Sequence, residues 1–327
     1  MTEKQHFLVL TGGIGGAKLA LGLSHLLAPD EVSFLVNTGD DFEHFDLNIC
    51  PDLDTLVYTL AGIANPDTGW GRRDETWRFM SALQKLGGDS WFQLGDQDLA
   101  MHVLRTAGLK AGRTLTEVTQ ELSGRLGVEQ TILPMSDQPV RTRVHTPEGE
   151  LAFQHYFVRD RCQPVVTGFQ FVGAREAQLN PAAQDLLTRT GALSGIILCP
   201  SNPYVSIDPM LSLPAVRGLL KQVACPVIAV SPVVGGNAIK GPTVKMMQEL
   251  NIPHSSLEVA RHYQDFLDGY ILDLQDAGLL DETCNLGMSA VASQTVMVTL
   301  QDKIDLARDV LNYVDQLNQS TDRPARG

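Results

Sequence analysis

The sequence predicts an α/β fold: a Rossmann-like, mostly parallel sheet with helices on both faces and an inserted α+β subdomain. Short apolar runs alternate with amphipathic stretches in both terminal parts of the chain, which is typical of strands covered by crossover helices. The middle of the chain lacks this alternation and is first helical and then rich in strand-like runs. We therefore expect a Rossmann-like core in residues 1–64 and 175–327 and an inserted subdomain in residues 65–174.

The first elements are predicted to form a βαβ unit. Phe7–Thr11 and Val32–Asn37 are apolar enough to be buried strands, and a helix from about Ala17 to Leu27 lies between them. Asp208-Pro209 is typical of a helix start, since Asp is a common cap and Pro fits the first helical turn. The later apolar runs are also predicted strands: Gly195–Cys199, Pro226–Ser231, Gly269–Leu274 and Thr295–Val298.

The inserted segment begins with helices and continues with strands. Residues 65–128 have a helical pattern, and Thr114-x-x-Glu117 matches a capping box. Two strand-like runs follow, Val140–His145 and Leu151–Val158. They lie on either side of Pro147-Glu148-Gly149, which favours a hairpin turn.

Composition and charge exclude several classes of protein. The 327 residues include 38 Asp and Glu against 25 Lys and Arg, a formal net charge of −13, so nucleic acid and anionic membranes are disfavoured as partners. Hydrophobic residues make up 43% and charged residues 19%, which excludes a disordered chain.

We expect no transmembrane helix, because no apolar run approaches about 18 residues. Phe7–Leu10 is too short for a signal-peptide core. The 5 cysteines are widely spaced without C-x-x-C, which predicts reduced, mostly buried thiols and a cytoplasmic protein.

A glycine-rich loop directly follows the first strand. It reads Thr11-Gly12-Gly13-Ile14-Gly15-Gly16-Ala17-Lys18 and opens the first helix. Glycines let a backbone approach a phosphate closely, and the helix N-terminus offers unpaired N–H groups. The spacing matches neither the dinucleotide fingerprint, where Lys18 replaces the third glycine, nor a P-loop. A tight turn without ligand is the alternative, although four glycines in five positions exceed what a turn needs.

Four carboxylates follow the second strand. Asp40 and Asp41 come at its carboxyl end, where ligands collect in parallel sheets, and Asp52 and Asp54 come shortly after. Carboxylates beside a phosphate site favour a Mg²⁺ ion. The alternatives are a ribose-binding role for Asp40 and helix capping for Asp52 and Asp54; capping is the favoured role of Asp52.

Two later loops also follow apolar runs. Ser201 and Asn202 lie in Cys199–Pro203, where ligand recognition and a purely structural turn are equally favoured. Glycines and lysines occur together in Ser231–Pro242, and Lys18, Lys240 and Lys245 could supply positive charge to a phosphate. For each of these three lysines, the alternative is an ordinary solvated surface side chain.

Composition and spacing alone thus indicate a metal-assisted α/β enzyme that handles phosphate.

Several blocks in order resemble one known family. They are LTGGIGGAKL, VNTGDDFEHFDLNICPDLDTLVYTLAG, WGRRDET, WFQLGDQDLA, ILPMSDQPVRT, CPSNPYVSI and SPVVGGNAIKGP. Together, from about Leu10 to Pro242, they are similar to the 2-phospho-L-lactate transferase (CofD) family of coenzyme F-420 biosynthesis. Several ordered blocks are far more specific than a lone glycine loop.

The resemblance implies a reaction and a set of site residues. The reaction is transfer of a phospho-carboxylic acid (2-phospholactyl, enolpyruvyl or 3-phosphoglyceryl type) from its guanosine diphosphate ester to the ribityl hydroxyl of the deazaflavin Fo, which releases GMP. The implied Mg²⁺ ligands and catalytic residues are Asp40, Asp41 and Asp54. The implied nucleotide-binding residues are Gly12, Gly13, Gly15, Gly16, Lys18, Ser201, Asn202, Gly235, Gly236 and Lys240. The implied deazaflavin and substrate residues are Thr38, Phe42, His44, Trp70, Arg72, Arg73 and Arg141, with the inserted subdomain contributing to that pocket. A homodimer is also implied.

Two other functions fit part of the pattern. One is a non-catalytic, nucleotide-sugar-binding regulator of the same superfamily, which would not need the acidic set Asp40, Asp41 and Asp54. The other is an NAD(P)-dependent oxidoreductase, which Lys18 in place of the third glycine disfavours. The sequence does not distinguish the three phospho-acid donors.

Overall fold

The computed structural model describes residues 5–239 and 241–320. It confirms the predicted Rossmann-like α/β fold. The strands are β1 (Phe7–Thr11), β2 (Val32–Val36), β3 (Phe42–His44), β4 (Leu47–Ile49), β5 (Thr131–Pro134), β6 (Arg141–Thr146), β7 (Gly149–Ala152), β8 (Gly168–Val172), β9 (Gly195–Leu198), β10 (Val227–Val230), β11 (Val233–Val234), β12 (Asn237–Ala238), β13 (Gly269–Asp273) and β14 (Ser289–Ser293).

Helices surround these strands. The α-helices are α1 (Gly13–Ser24), α2 (Pro51–Leu60), α3 (Arg78–Lys85), α4 (Asp96–Lys110), α5 (Leu115–Arg125), α6 (Pro181–Thr188), α7 (Asp208–Leu211), α8 (Val216–Gln222), α9 (Thr243–Glu249), α10 (Ser256–His262), α11 (Leu280–Cys284) and α12 (Leu300–Gln319). Short 3₁₀ turns cover Pro29–Glu31 and Leu274–Leu279, and π-helical turns cover His155–Arg159 and Pro203–Ile207.

A parallel seven-stranded sheet organises the core. Its order is β14-β13-β10-β9-β1-β2-β5, so β1 lies between β2 and β9. Side chains alternate across β1: Phe7 and Val9 face one buried cluster, and Leu8 and Leu10 face the other. Helices α1, α2, α5 and α12 cover the first face, and α6, α8, α9 and α10 cover the second. The carboxyl ends of β1, β2 and β9 therefore meet at one edge.

The middle segment contributes both a small sheet and a strand of the core. Strands β7, β6 and β8 form an antiparallel sheet, with the predicted hairpin between β6 and β7. Strand β5 instead pairs with β2 at the edge of the central sheet. Thr114 begins α5 with the expected capping box. The boundaries 65–174 stay a prediction, but the polypeptide between them is not wholly outside the core.

Two predicted strands are wrong in position or length. Thr295–Val298 is not a strand: the last strand is β14, and the Thr295 N–H and hydroxyl both donate to the Asp273 carboxylate at 2.9 Å. The strand predicted at Leu151–Val158 ends at Ala152 and continues as a π-helical turn. Phe153 and Tyr156 are both buried, which is a helical rather than an alternating spacing.

Two remaining expectations concern cysteines and membrane spans. Cys50, Cys199 and Cys225 are buried, as predicted, whereas Cys162 is half-buried and Cys284 is exposed; within the described part of the chain the five cysteines form no disulfide. Across residues 5–239 and 241–320, the structure contains no helix with the length and hydrophobicity needed to span a membrane.

Candidate functional site

A cavity of about 550 Å³ opens at the carboxyl ends of β1, β2, β9 and β10. This is where ligands bind in parallel α/β sheets, because the loops leaving neighbouring strands diverge there. The cavity wall combines the glycine loop, the acidic loop after β2 and part of the inserted segment. Its ionisable side chains in the described residues are Lys18, Asp40, Asp52, Asp54, Tyr58, Asp98 and His102.

The glycine loop is tightly packed against protein as well as open to the cavity. A Cβ on Gly12 would lie 2.6 Å from Asp52 Oδ2, one on Gly15 2.5 Å from the Pro200 carbonyl oxygen, and one on Gly16 2.7 Å from Ser201 Oγ. Gly13 has φ +66°, a conformation that favours glycine. Contacts between neighbouring loops therefore account for three of the four glycines, and their phosphate-binding role stays a prediction.

Asp52 lies at the N-terminus of α1. Its Oδ1 accepts a 2.7 Å hydrogen bond from the Gly13 N–H, the first residue of that helix. The N-cap position of its own helix, α2, is occupied by Cys50, whose side chain makes no capping hydrogen bond. The sequence interpretation of Asp52 as a cap of α2 is therefore wrong, because the carboxylate reaches across to α1, where the helix dipole favours an anion.

Asn37 joins Asp52 to Asp40. The Asn37 amide nitrogen donates to Asp40 Oδ1 at 2.6 Å and to Asp52 Oδ2 at 2.9 Å, and all three side chains are buried. Burial, and then the nearby charges of Asp52 and Asp41, raise the pKa of Asp40 well above its usual range. Burial likewise raises the pKa of Asp52 to about 6. The cavity wall thus carries two carboxyl groups that repel each other when both are ionised.

Asp41 lies behind the cavity wall rather than on it. Burial raises its pKa to about 7, although the charge of Arg141 lowers it. Its Oδ1 has no hydrogen-bond partner, and the same is true of Thr38 Oγ1. The structure therefore separates Asp41 from Asp40 and Asp54, which both line the cavity.

Asp54 is held by a buried arginine. Arg105 Nη1 donates to Asp54 Oδ2 at 3.1 Å, and Nη2 donates directly to Asp54 Oδ1. His102 lies between two carboxylates, with Nδ1 3.7 Å from Asp54 Oδ2 and Nε2 3.2 Å from Asp98 Oδ2. The Tyr58 hydroxyl donates to Asp98 Oδ1. A chain of polar contacts therefore runs from Tyr58 to Arg105 along one wall.

Asp54, Asp98 and His102 also have potential metal-ligand atoms within 4.8 Å of one another. Burial raises the pKa of Asp98, but His102, the Tyr58 hydroxyl and the charge of Arg105 together lower it overall. The hydrogen bonds already made to Asp54 and Asp98 by Arg105 and Tyr58 hold this group together without an ion.

The predicted residues after β1 and β9 lie at the cavity, and most of their polar atoms bind protein. Ser201 Oγ donates to the Gly12 carbonyl at 2.8 Å and accepts from the Gly12 N–H at 3.2 Å. Asn202 Oδ1 accepts from the N–H groups of Tyr204 and Val205 and caps the π-helical turn. Lys18 Nζ donates to the Met297 carbonyl at 2.7 Å.

Gly235 and Gly236 form the turn between β11 and β12 and are outside the cavity wall. Lys240 is outside the described residues, between Ile239 and Gly241, which do line the cavity.

Aromatic side chains also line the cavity. Trp70, Phe92, Phe153 and Phe157 line it, and Phe153 and Phe157 stack with ring centroids 5.3 Å apart. Phe42 and His44 are not on the wall: they pack behind Phe92, with Phe42 and Phe92 ring centroids 4.8 Å apart.

The three predicted arginines are not on the cavity wall. Arg72 is over the Tyr58 ring at 5.8 Å and donates to Gln97 Oε1. Arg73 is exposed. Arg141 approaches the acidic loop, since its charge lowers the pKa of both Asp40 and Asp41.

The sequence interpretation missed the residues of α4 and the role of Asn37. Asp98, His102 and Arg105 are spaced by four and three residues, which places them on one face of a helix. That spacing was visible in the sequence, but nothing in it indicates that this face meets Asp54. Gln154 was also missed; its amide donates to the Asp40 carbonyl at 3.2 Å.

Comparisons with known proteins agree with this architecture. A family model described as 2-phospho-L-lactate transferase CofD matches residues 7–315. A phosphoenolpyruvate transferase of Streptomyces griseus is 37% identical over 316 residues, covering 95% of this chain and 98% of that protein. A 2-phospho-L-lactate transferase of Methanosarcina barkeri is 35% identical over 312 residues, covering 95% and 99%. A crystal structure of a UPF0052 family member from Bacillus halodurans superposes with a TM-score of 0.60 at 12% identity, covering 95% of this chain and 100% of that one.

Proposed function

The chain belongs to the 2-phospho-L-lactate transferase CofD family, and from that premise we propose that it transfers a phospho-carboxylic acid from its guanosine diphosphate ester to the ribityl hydroxyl of the deazaflavin Fo in coenzyme F-420 biosynthesis. It is an enzyme of the transferase class, as its relatives are named. The family is named for phospholactate, and other relatives are named for phosphoenolpyruvate, so the donor acid is the open part of the proposal.

One observation carries the proposal beyond family membership. The N-terminus of α1, the buried carboxylates Asp40, Asp52 and Asp54, and an aromatic wall all face the same cavity. A phosphate ester and a flat ring could therefore bind in the same cavity as the carboxylates. Such an arrangement suits a reaction that joins a hydroxyl to a phosphoryl group.

The transfer requires positioning and charge neutralisation more than covalent catalysis by the protein. The deazaflavin hydroxyl oxygen forms a bond to the phosphorus that carries the acid, and the bond from that phosphorus to the GMP oxygen breaks. The hydroxyl proton is released, and GMP leaves with the bonding electron pair. We assign orientation of the attacking hydroxyl to a cavity carboxylate, Asp40 or Asp54.

The residues of the cavity fit a Mg²⁺ ion. Asp40 and Asp52 share the Asn37 amide, burial raises the pKa of both, and the charge of Asp52 raises that of Asp40 further; a divalent cation between them would favour the ionised carboxylates. We propose Asp40, Asp52 and Asp54 as its ligands; the role of Asp41 that the family resemblance implies stays a prediction. When bound, the ion would neutralise phosphate charge.

The remaining assignments use the two kinds of residue on the cavity wall: those near the glycine loop and the aromatic side chains. We place the guanosine diphosphate group at Gly13, Lys18 and Ser201, and the deazaflavin ring at Trp70 and Phe92. A cytoplasmic location and a homodimer complete the proposal as expectations from the sequence and its family resemblance.

A donor comparison tests the proposal. Purified protein is incubated with Fo, Mg²⁺ and each of guanylylated phospholactate, phosphoenolpyruvate and 3-phosphoglycerate, and GMP release is followed. We expect turnover with one donor, dependence on Mg²⁺, and loss of turnover in Asp40→Asn. Tight nucleotide binding without turnover for any donor would reject the transferase and favour the regulator of the same superfamily.

A further inference from the structure

We propose that Arg105, from the inserted segment, is a positioning residue for the transfer reaction, acting by holding the Asp54 carboxylate in one orientation on the cavity wall. The inference rests on the proposed function, because it gives Asp54 a part in that reaction. Arg105 lies far from Asp54 in sequence, on a helix that the sequence interpretation treated as part of a separate subdomain.

The contact between the two side chains is two-pronged and buried. Both terminal nitrogens of the guanidinium donate to Asp54, one to each carboxylate oxygen. Arg105 is 3% exposed and Asp54 is 5% exposed. A bidentate arginine fixes the plane of a carboxylate as well as its position, which a single hydrogen bond does not do.

Arg105 acts through Asp54 rather than on a ligand. Asp54 lines the cavity, whereas Arg105 is behind the wall. With one lone pair of each Asp54 oxygen directed to the guanidinium, the remaining lone pairs are free to face the cavity. The arginine thereby decides which way the carboxylate presents its oxygens to a bound hydroxyl or cation.

The surrounding residues hold the guanidinium in turn. Arg105 Nη1 also lies 3.3 Å from the Asn48 carbonyl and 3.3 Å from His102 Nδ1. His102 Nε2 in turn lies 3.2 Å from Asp98 Oδ2, one helical turn earlier on the same face of α4. Burial lowers the pKa of Arg105, but the charge of Asp54, the hydrogen bonds to it and the neighbouring Cys50 and Tyr58 together raise it overall, so the guanidinium stays charged.

The packing of α4 explains why the inserted segment is needed at this site. Thr106 Oγ1 accepts from the Asn48 N–H at 2.8 Å, which ties α4 to the strand that precedes α2. Asp54 lies in the first turn of α2. The insert therefore supplies the counter-ion of a carboxylate that belongs to the Rossmann-like core.

A double-mutant cycle in kcat tests the proposal. We expect Arg105→Met to lower kcat for GMP release by roughly 100-fold, while KM for Fo and for the donor changes by less than about threefold. Arg105→Lys keeps the positive charge and one hydrogen bond. Its kcat should therefore be about tenfold higher than that of Arg105→Met. In the Asp54→Asn background, adding Arg105→Met should lower kcat by no more than about threefold further.

The controls separate positioning from folding. GDP affinity by calorimetry should be unchanged in Arg105→Met, and the variant should keep the wild-type circular dichroism spectrum. If Arg105→Met does not fold, Arg105→Lys and the charge-balanced double variant Asp54→Asn/Arg105→Met carry the comparison. Arg113→Met, which breaks a half-buried ion pair with Glu121 in the same segment and away from the cavity wall, should keep wild-type kcat.

Three outcomes would overturn the inference. A wild-type kcat in folded Arg105→Met, fully additive losses in the cycle, or a loss confined to KM would each show that Arg105 does not act through Asp54. These results require an active wild-type enzyme. If the wild type turns over none of the three donors, the proposed function fails and this inference fails with it.

Discussion

Gly16 is the residue at which the glycine loop tolerates a side chain least. A Cβ there would overlap Thr11 Oγ1 and lie 2.7 Å from Ser201 Oγ, two groups that are themselves buried. We expect Gly16→Ala to lower the free energy of unfolding by about 2 kcal/mol or more, measured by urea denaturation. Gly124→Ala is the matched control, since a Cβ on that helical glycine meets nothing within 4 Å and should stabilise by up to about 1 kcal/mol. Equal stability of the two variants would contradict the packing of the loop.

Asp41 makes stability depend on pH. Burial raises its pKa in the folded protein to about 7, against about 3.9 in an unfolded chain, so the folded state binds the proton more tightly. Its contribution favours folding at low pH and is lost as the pH rises from about 4 through about 7.

Asp41→Asn removes this titration. We expect the variant to gain about 3 kcal/mol of stability relative to wild type between pH 5 and pH 8, the larger part of about 4 kcal/mol over the whole titration. Urea denaturation in metal-free buffer at pH 5 and pH 8 measures the difference. A stability change that is the same at both values would show that Asp41 does not titrate between them.

Individual site residues could be predicted from the sequence where they follow the end of a predicted strand. Asp40 and Asp54 were predicted and line the cavity. Asp52 was assigned to its own helix because capping rules are local, whereas its carboxylate binds the N-terminus of a different helix. Arg105 could not have been found, since its partner is 51 residues earlier in the chain and only the packing of α4 brings them together.

At the scale of elements, Asn202 connects strand β9 to the π-helical turn Pro203–Ile207. Its side-chain oxygen accepts from the N–H groups of two residues of that turn. We expect Asn202→Ala to lose about 1–2 kcal/mol of unfolding free energy by urea denaturation, because both N–H groups lose their acceptor. Asn202→Asp keeps an oxygen there and should retain most of that stability. If Ala and Asp are equally destabilising, the capping role is wrong.

The same pair of variants also tests the predicted contact with nucleotide. Both lack the amide nitrogen, so both should bind GDP more weakly by calorimetry if that nitrogen contacts the nucleotide. Unchanged GDP affinity in Asn202→Asp would limit the residue to its structural role.

Elements were predictable where burial alone decides them. The strands β1, β2, β9, β10 and β13 lie close to their predicted positions, because strands covered on both faces are uninterrupted apolar runs. Thr295–Val298 also looks apolar, but it is a loop held by hydrogen bonds from Thr295 to Asp273, which no local pattern reveals. The π-helical turn at His155–Arg159 was missed because its apolar spacing resembles a strand over so few residues.

The whole molecule depends on its inserted segment. Strand β5 completes one edge of the central sheet, and Leu115, Val118 and Leu122 of α5 are buried in the same cluster as Phe7. We expect replacement of residues 65–174 by a short flexible linker to abolish cooperative unfolding, because it exposes a sheet edge and part of the core. Thermal denaturation followed by circular dichroism measures this. A cooperative transition in the shortened chain would show that the core folds without the insert.

The overall class of the fold was predictable, whereas the assembly of the cavity was not. The alternation of strands and helices predicts a parallel sheet and the edge at which ligands bind. Contacts between distant residues decide which surface of the inserted segment faces that edge. For example, the Thr142 N–H donates a 2.6 Å hydrogen bond to the Gly39 carbonyl, and these two residues are about a hundred positions apart in the chain. Local periodicity contains no information about such pairs.

In the proposed reaction, the deazaflavin hydroxyl oxygen attacks the phosphorus that carries the acid, and both substrates bind in the one cavity. The most direct test uses Fo with ¹⁸O in its terminal ribityl hydroxyl, Mg²⁺ and the active donor, and records the masses of both products. We expect the label in the phosphodiester and none in GMP, because the hydroxyl oxygen attacks and GMP leaves with its own oxygen. GMP released without consumption of Fo, or with the label in GMP, would contradict the account.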